Sequence, residues 1–78
     1  MKLNNNQQQV IDIIKEYSEK NGVTNAEIGD ILDWPRESVT PRVSELRQKK
    51  LIHGDFHREC LVSGRRVIAW KYGKSRDH

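Results

Sequence analysis

The chain reads as one small α+β domain, three helices followed by a β-hairpin, on three observations. Apolar residues recur at helical spacing in three successive segments, a capping motif opens the second, and two apolar-alternating runs meet across Ser63-Gly64 near the C-terminal end. Seventy-eight residues suffice for one core and leave little to line a deep pocket.

In the first segment Val10, Ile13, Ile14 and Tyr17 fall at i, i+3, i+4, i+7, which predicts a helix running to about Lys20, with Ile11 off the core stripe. The Asn and Gln tract from Asn4 to Gln9 is expected to fray before feeding that helix, so residues 1–6 are read as a mobile end. Asn21-Gly22 stops the helix, since Gly22 adopts the left-handed backbone of a helix terminus without steric cost. Thr24-Asn25-Ala26-Glu27 is a capping box in which the Thr24 hydroxyl accepts the Glu27 amide and the Glu27 carboxylate accepts the Thr24 amide. Ile28, Ile31 and Leu32 supply the buried stripe of the short second helix, and Asp33-Trp34-Pro35 ends it. Trp34 is read as a core plug between the second and third helices in preference to a platform for stacked bases.

The third helix begins between Arg36 and Ser38 and ends near Lys50. Val39, Val43 and Leu46 bury one side, while Arg36, Glu37, Thr40, Ser44, Arg47 and Gln48 fall on the opposite face or its flanks. Such a face carries side chains that hydrogen-bond base edges and phosphates, and it also describes any solvated amphipathic helix. Pro41 costs least near the helix start, among amides that have no intrahelical acceptor. After a connection from Leu51 to His57, Arg58–Val62 and Arg65–Tyr72 are expected to pair across a two-residue turn at Ser63-Gly64. Ile68, Trp70 and Tyr72 should face the helices, with Arg66 on the same side near the tip. Residues 73–78 form a polar, basic tail expected to be mobile.

Charge is polarised along the chain. Residues 1–35 hold three Lys against six acids, and residues 36–78 hold eleven Lys and Arg against five acids, so a net charge of +3 conceals −3 followed by +6. The basic half coincides with the third helix and the hairpin, which points to an anionic partner. A single cysteine, Cys60, excludes an internal disulfide and suits a reducing cytoplasm. No apolar run approaches the roughly 18 residues that span a bilayer, and the first residues lack the apolar core of a signal peptide, so a cytoplasmic protein without membrane contact is expected. His53, Asp55, His57 and Cys60 lie close together but lack the paired spacing of structural zinc sites, and no nucleophile, base and orienter recur together; neither metal, cofactor nor enzymatic activity is expected.

The order of helix, capped short helix, turn, helix, Leu51-Ile52 and a hairpin turning on Ser63-Gly64-Arg65-Arg66 resembles the winged helix-turn-helix domains of small bacterial and bacteriophage DNA-binding proteins. The match runs from Thr24 to Tyr72, about two thirds of the chain, with Arg36–Lys50 as the recognition helix and Arg58–Tyr72 as the wing. Such domains often have Gly where this chain has Lys50, a less ideal helix exit. The resemblance implies double-stranded DNA as partner, a recognition helix in the major groove, and a wing along the backbone or in an adjacent minor groove, with a role in transcription regulation. Carried over by position, Arg36, Ser38, Thr40, Arg42, Ser44 and Arg47 become candidates for groove and phosphate contacts, and Ser63, Gly64, Arg65 and Arg66 for the wing tip. Arg42 lies on the flank away from Arg36 and could equally pair with an acid of the second helix, Glu27 or Asp30. The contrary expectation is a winged helix that grips a host or partner protein, favoured by Glu37 and Glu45 on or beside the reading face. With no long extra helix to pair copies, a monomer with a weak or DNA-induced homodimer is expected.

Overall fold

Asn4 starts the first helix. Its side chain accepts the Gln7 amide at 2.8 Å while Gln7 Oε1 accepts the Asn4 amide at 3.1 Å, a capping box that turns the polar tract into the first turn of α1 (Asn5–Ser18). Residues 3–73 are described in this computed structural model; within the tract expected to fray, Asn4 caps α1 and Leu3 packs against the core. Helix α1 stops two residues short of Lys20. The Gly22 amide closes its end on the Tyr17 carbonyl at 3.0 Å, with Gly22 at φ +72°.

Helix α2 (Asn25–Leu32) carries the expected Thr24–Glu27 capping box, α3 spans Arg36–Gln48, and strands β1 (Ile52–Glu59) and β2 (Arg66–Tyr72) pair antiparallel. This is the α+β arrangement expected, three helices followed by a hairpin in a winged helix layout. The hairpin itself differs from expectation. The stretch taken for a connection is most of β1, and Cys60 to Arg65 form a six-residue loop in place of a two-residue turn; the Gly64 amide reaches the Cys60 carbonyl at 2.8 Å and the Cys60 amide the Arg65 carbonyl at 2.8 Å. An irregularity between His53 and Phe56 gives β1 one residue more than its partner, which breaks the alternation by which a strand is recognised. Gly54 sits at this bulge because a Cβ there would lie 2.8 Å from both Ile68 and the Trp70 ring.

The core joins Val10, Ile13 and Ile14 of α1, Ile28 of α2, Val39, Val43 and Leu46 of α3, Val23, Ile52 and Trp70. Val23 bridges to Trp70 on the free edge of β2, in both directions, at 2.7 and 3.1 Å. Two stripe assignments are corrected. Ile11 is 2% exposed, because α1 is covered by both α3 and β2, whereas Ile31 is 47% exposed. Trp34 packs against the core as expected. Tyr72 lies beneath Lys15 of α1, 4.9 Å from ring centroid to ammonium, yet stays 45% exposed. Gly73 donates to the Leu51 carbonyl at 2.7 Å; residues 74–78 of the expected mobile tail lie outside the described residues. Among the described residues no helix is long and apolar enough to cross a membrane.

Pro41 lies inside α3, beyond the first turn, so the Glu37 carbonyl loses its intrahelical donor; both residues are exposed, where water can replace it. At the other end the Leu51 amide bonds the Leu46 carbonyl at 3.1 Å and the Lys50 amide the Arg47 carbonyl at 2.9 Å, a closure that holds Lys50 at φ +61°. A side chain in this left-handed region is strained. Lys50→Gly should therefore raise stability by up to about 1 kcal/mol in urea unfolding, where the same change at exposed Lys49 should lower it.

Candidate nucleic-acid interface

Helix α3 presents the expected two faces. Val39, Val43 and Leu46 point inward, and Arg36, Thr40, Ser44 and Arg47 are exposed. Arg36 and Thr40 lie one turn apart, and Arg47 continues their stripe, with its guanidinium 5.7 Å from the centroid of Trp70. The N-terminal end of α3 has Pro35 at its cap position and no side-chain cap hydrogen bond. Its leading amides add positive potential beside Arg36.

The other flank of α3 is turned toward α1. Arg42 makes a two-pronged contact with Glu45, both bonds 2.9 Å, and Gln7 of α1 donates to Glu45 at 2.9 Å. The partner of Arg42 is thus its own helix neighbour and neither Glu27 nor Asp30. These bonds, Arg42's first and then Gln7's, hold the Glu45 carboxyl below its ordinary pKa. Ser38 is half-buried on the same side. Of the six α3 candidates, Arg36, Thr40, Ser44 and Arg47 share the open surface, and Ser38 and Arg42 do not.

A cleft of about 870 Å³ opens between the start of α2, the start of α3 and the hairpin. Arg36 of α3 lines it together with Ser63, Arg65 and Arg66 of the hairpin, and Asn25, His57 and Trp70 are part of the same lining. No Asp or Glu is among its lining residues. Arg36, Arg65 and Arg66 thus line one cleft whose lining holds no acid, which biases it toward positive potential, and Glu59 is the cross-strand partner of Arg66. Gly64 stands exposed at the tip, at φ +73°, with nothing near its Cβ position.

One carboxylate ties the hairpin to α2 at several points. Glu27 accepts from the Thr24 amide at 3.2 Å, the Leu61 amide at 2.9 Å, and both terminal nitrogens of Arg58 at 2.6 and 2.9 Å. Arg58 uses its remaining donors on the carbonyls of Asn21 (2.7 Å), Gly22 (2.9 Å) and Glu59 (2.9 Å). Cys60, beside this junction, is buried with its sulfur 3.0 Å from Thr24 Oγ1. The indole of Trp70 donates to Asn25 at 2.7 Å and fixes the start of α2 from the sheet side.

No family model, curated protein or solved structure matches the chain. The site rests on its own residues. Sequence reasoning brought out Arg36, Ser63, Arg65 and Arg66 and missed Asn25, which falls on the cleft through packing. It also missed the partnership of Glu27 with Arg58, whose only sequence signal was an Arg in the first strand and a Glu already explained as a cap.

Burial by itself pushes the Glu27 carboxyl up; the hydrogen bonds from Arg58, Leu61 and Thr24 and the charge of Arg58 outweigh it and hold the pKa at about 2, against an ordinary 4.5. A folded-state value below the unfolded one stabilises the fold above the unfolded pKa and is lost as pH falls. The difference amounts to roughly 3 kcal/mol at neutral pH, disappearing between about pH 5 and pH 2. Glu27→Gln should cost about 3 kcal/mol at pH 7 and flatten the acid limb of stability against pH in that window, as read by urea unfolding across a pH series. An unchanged acid limb would show that Glu27 does not govern it.

Proposed function

We propose that this chain binds double-stranded DNA as a small cytoplasmic transcription regulator of the bacterial or bacteriophage winged helix type, without enzymatic activity. The observation that carries the reading is the acid-free cleft that brings Arg36 of α3 together with Arg65 and Arg66 of the hairpin. In this reading α3 lies in the major groove, with Thr40, Ser44 and Arg47 toward base edges, and the hairpin tip holds the backbone or a narrow minor groove. The modest net charge of +3 does not oppose it. Glu45 is turned toward α1 and paired, and Glu27 is spent on Arg58, so the basic groups of the open surface face fewer acids than the composition suggests. The alternative, a winged helix that grips a protein partner, draws support from Glu37, an exposed acid in the first turn of α3.

Binding to a random duplex, followed by fluorescence anisotropy over a salt series, separates the two. DNA binding requires affinity that falls steeply as salt rises, with a log–log slope near −3 if about three phosphates are contacted. Salt-insensitive or absent binding leaves the protein-partner reading. Arg65→Ala with Arg66→Ala should weaken all sequences and reduce the slope by about 2, whereas Thr40→Ala should change sequence preference at a cost of roughly 1 to 3 kcal/mol. A uniform loss from every variant would remove base reading from α3.

Assembly follows from the same surfaces. With Ile11 buried, α1 offers less apolar surface for self-association than its sequence suggests. Sedimentation equilibrium should find a monomer at micromolar concentration, with pairing only on DNA that aligns two half-sites; a tight dimer of the free protein would overturn this.

A further inference from the structure

The most exposed large hydrophobic side chain among the described residues is Leu61, at 88%, and its neighbour Val62 is 55% exposed. A single exposed apolar residue is ordinary. Here two are adjacent, at the outer end of the hairpin, on a loop whose backbone is fixed. The Leu61 amide is held by the buried Glu27 carboxylate at 2.9 Å, the Cys60 side chain is buried, and the Cys60–Arg65 and Cys60–Gly64 bonds close the loop. The backbone around the pair is thus tied down, while both side chains stand in solvent.

Resting on the DNA reading, we propose that Leu61 and Val62 are an apolar wedge that enters the minor groove, parts a base step and bends the duplex. The tip has the required shape and charge. Gly64, two residues past Val62 on the same loop, adds no bulk, and a B-form minor groove is only about 6 Å wide. Residues 60–66 contain two arginines and no acid, and arginine is drawn to the strong negative potential of a narrow minor groove. Apolar side chains inserted between flexible steps unstack them and kink the helix, with basic neighbours gripping the flanking backbone. Two side chains alone are small for a protein interface, which needs about 800 Å² from each partner.

The test uses the full chain and duplexes of about 30 base pairs, enriched from a random pool by the wild-type protein and labelled at both ends for energy transfer. The wild-type complex should be bent by about 20° or more. Leu61→Ala with Val62→Ala should keep the melting temperature of the free protein and the salt slope, bind about tenfold more weakly, and lose most of the bend; Leu61→Phe should restore it. A straight wild-type complex, or a double variant that bends DNA equally, overturns the wedge and leaves the DNA reading standing. A double variant with a collapsed melting temperature also overturns it, since the pair would then be packing in the fold. Absence of salt-sensitive DNA binding by the wild-type protein overturns the wedge and the DNA reading together.

Discussion

The buried carboxylate of Glu27 is the constraint on which the relation between helices and hairpin depends. A two-stranded hairpin has too little area to hold itself in water and must be fastened to a body. Here one side chain meets α2 through the Thr24 amide, the strand through Arg58 and the loop through the Leu61 amide. Burying a carboxylate is costly unless its lone pairs are filled. Four donors fill them, and Arg58 in turn spends every N–H it has on Glu27 and three backbone carbonyls. Removing either partner would strand the other in a buried site, so the two depend on each other.

Trp70 fixes the sheet from the opposite side. Its backbone pairs with Val23, its indole nitrogen donates to Asn25, and Gly54 leaves room for its ring. The start of α2 is consequently gripped twice, by Glu27 toward the loop and by Asn25 toward β2. Because α3 packs on α2 and α1 through Val39, Val43 and Leu46, the spacing between Arg36 and the hairpin arginines is set by buried contacts and not by the exposed residues themselves. That spacing is what a surface needs if it is to meet two neighbouring grooves or phosphates in a fixed relation.

Local rules made the helices legible and left the hairpin partly hidden. The Thr24–Glu27 box, the left-handed Gly22 and the inward stripe of α3 depend on residues three or four apart, and all are present. The Asn4–Gln7 box obeys the same rule but was masked by its low-complexity surroundings. Strand β1 escaped because the extra residue at the bulge disrupts its period, and because Ser63-Gly64, a good hairpin turn by composition, lies inside a longer loop closed through Cys60. Ile11 and Ile31 show the limit of a helical wheel: it counts one buried face, whereas α1 is covered on two sides and the end of α2 on fewer.

The candidate site was legible as residue types and not as geometry. The basic second half marked Arg36, Arg65 and Arg66, but only folding brings them around one cleft and removes the acids from it. The same folding sorts residues that composition treats alike. Arg42 and Arg58 are both consumed by carboxylates, one on the α1 flank and one at the hairpin junction, while Arg36, Arg47, Arg65 and Arg66 remain exposed. Charge pairing therefore does more than offset acids: it confines the unneutralised arginines to α3's open stripe and the hairpin tip.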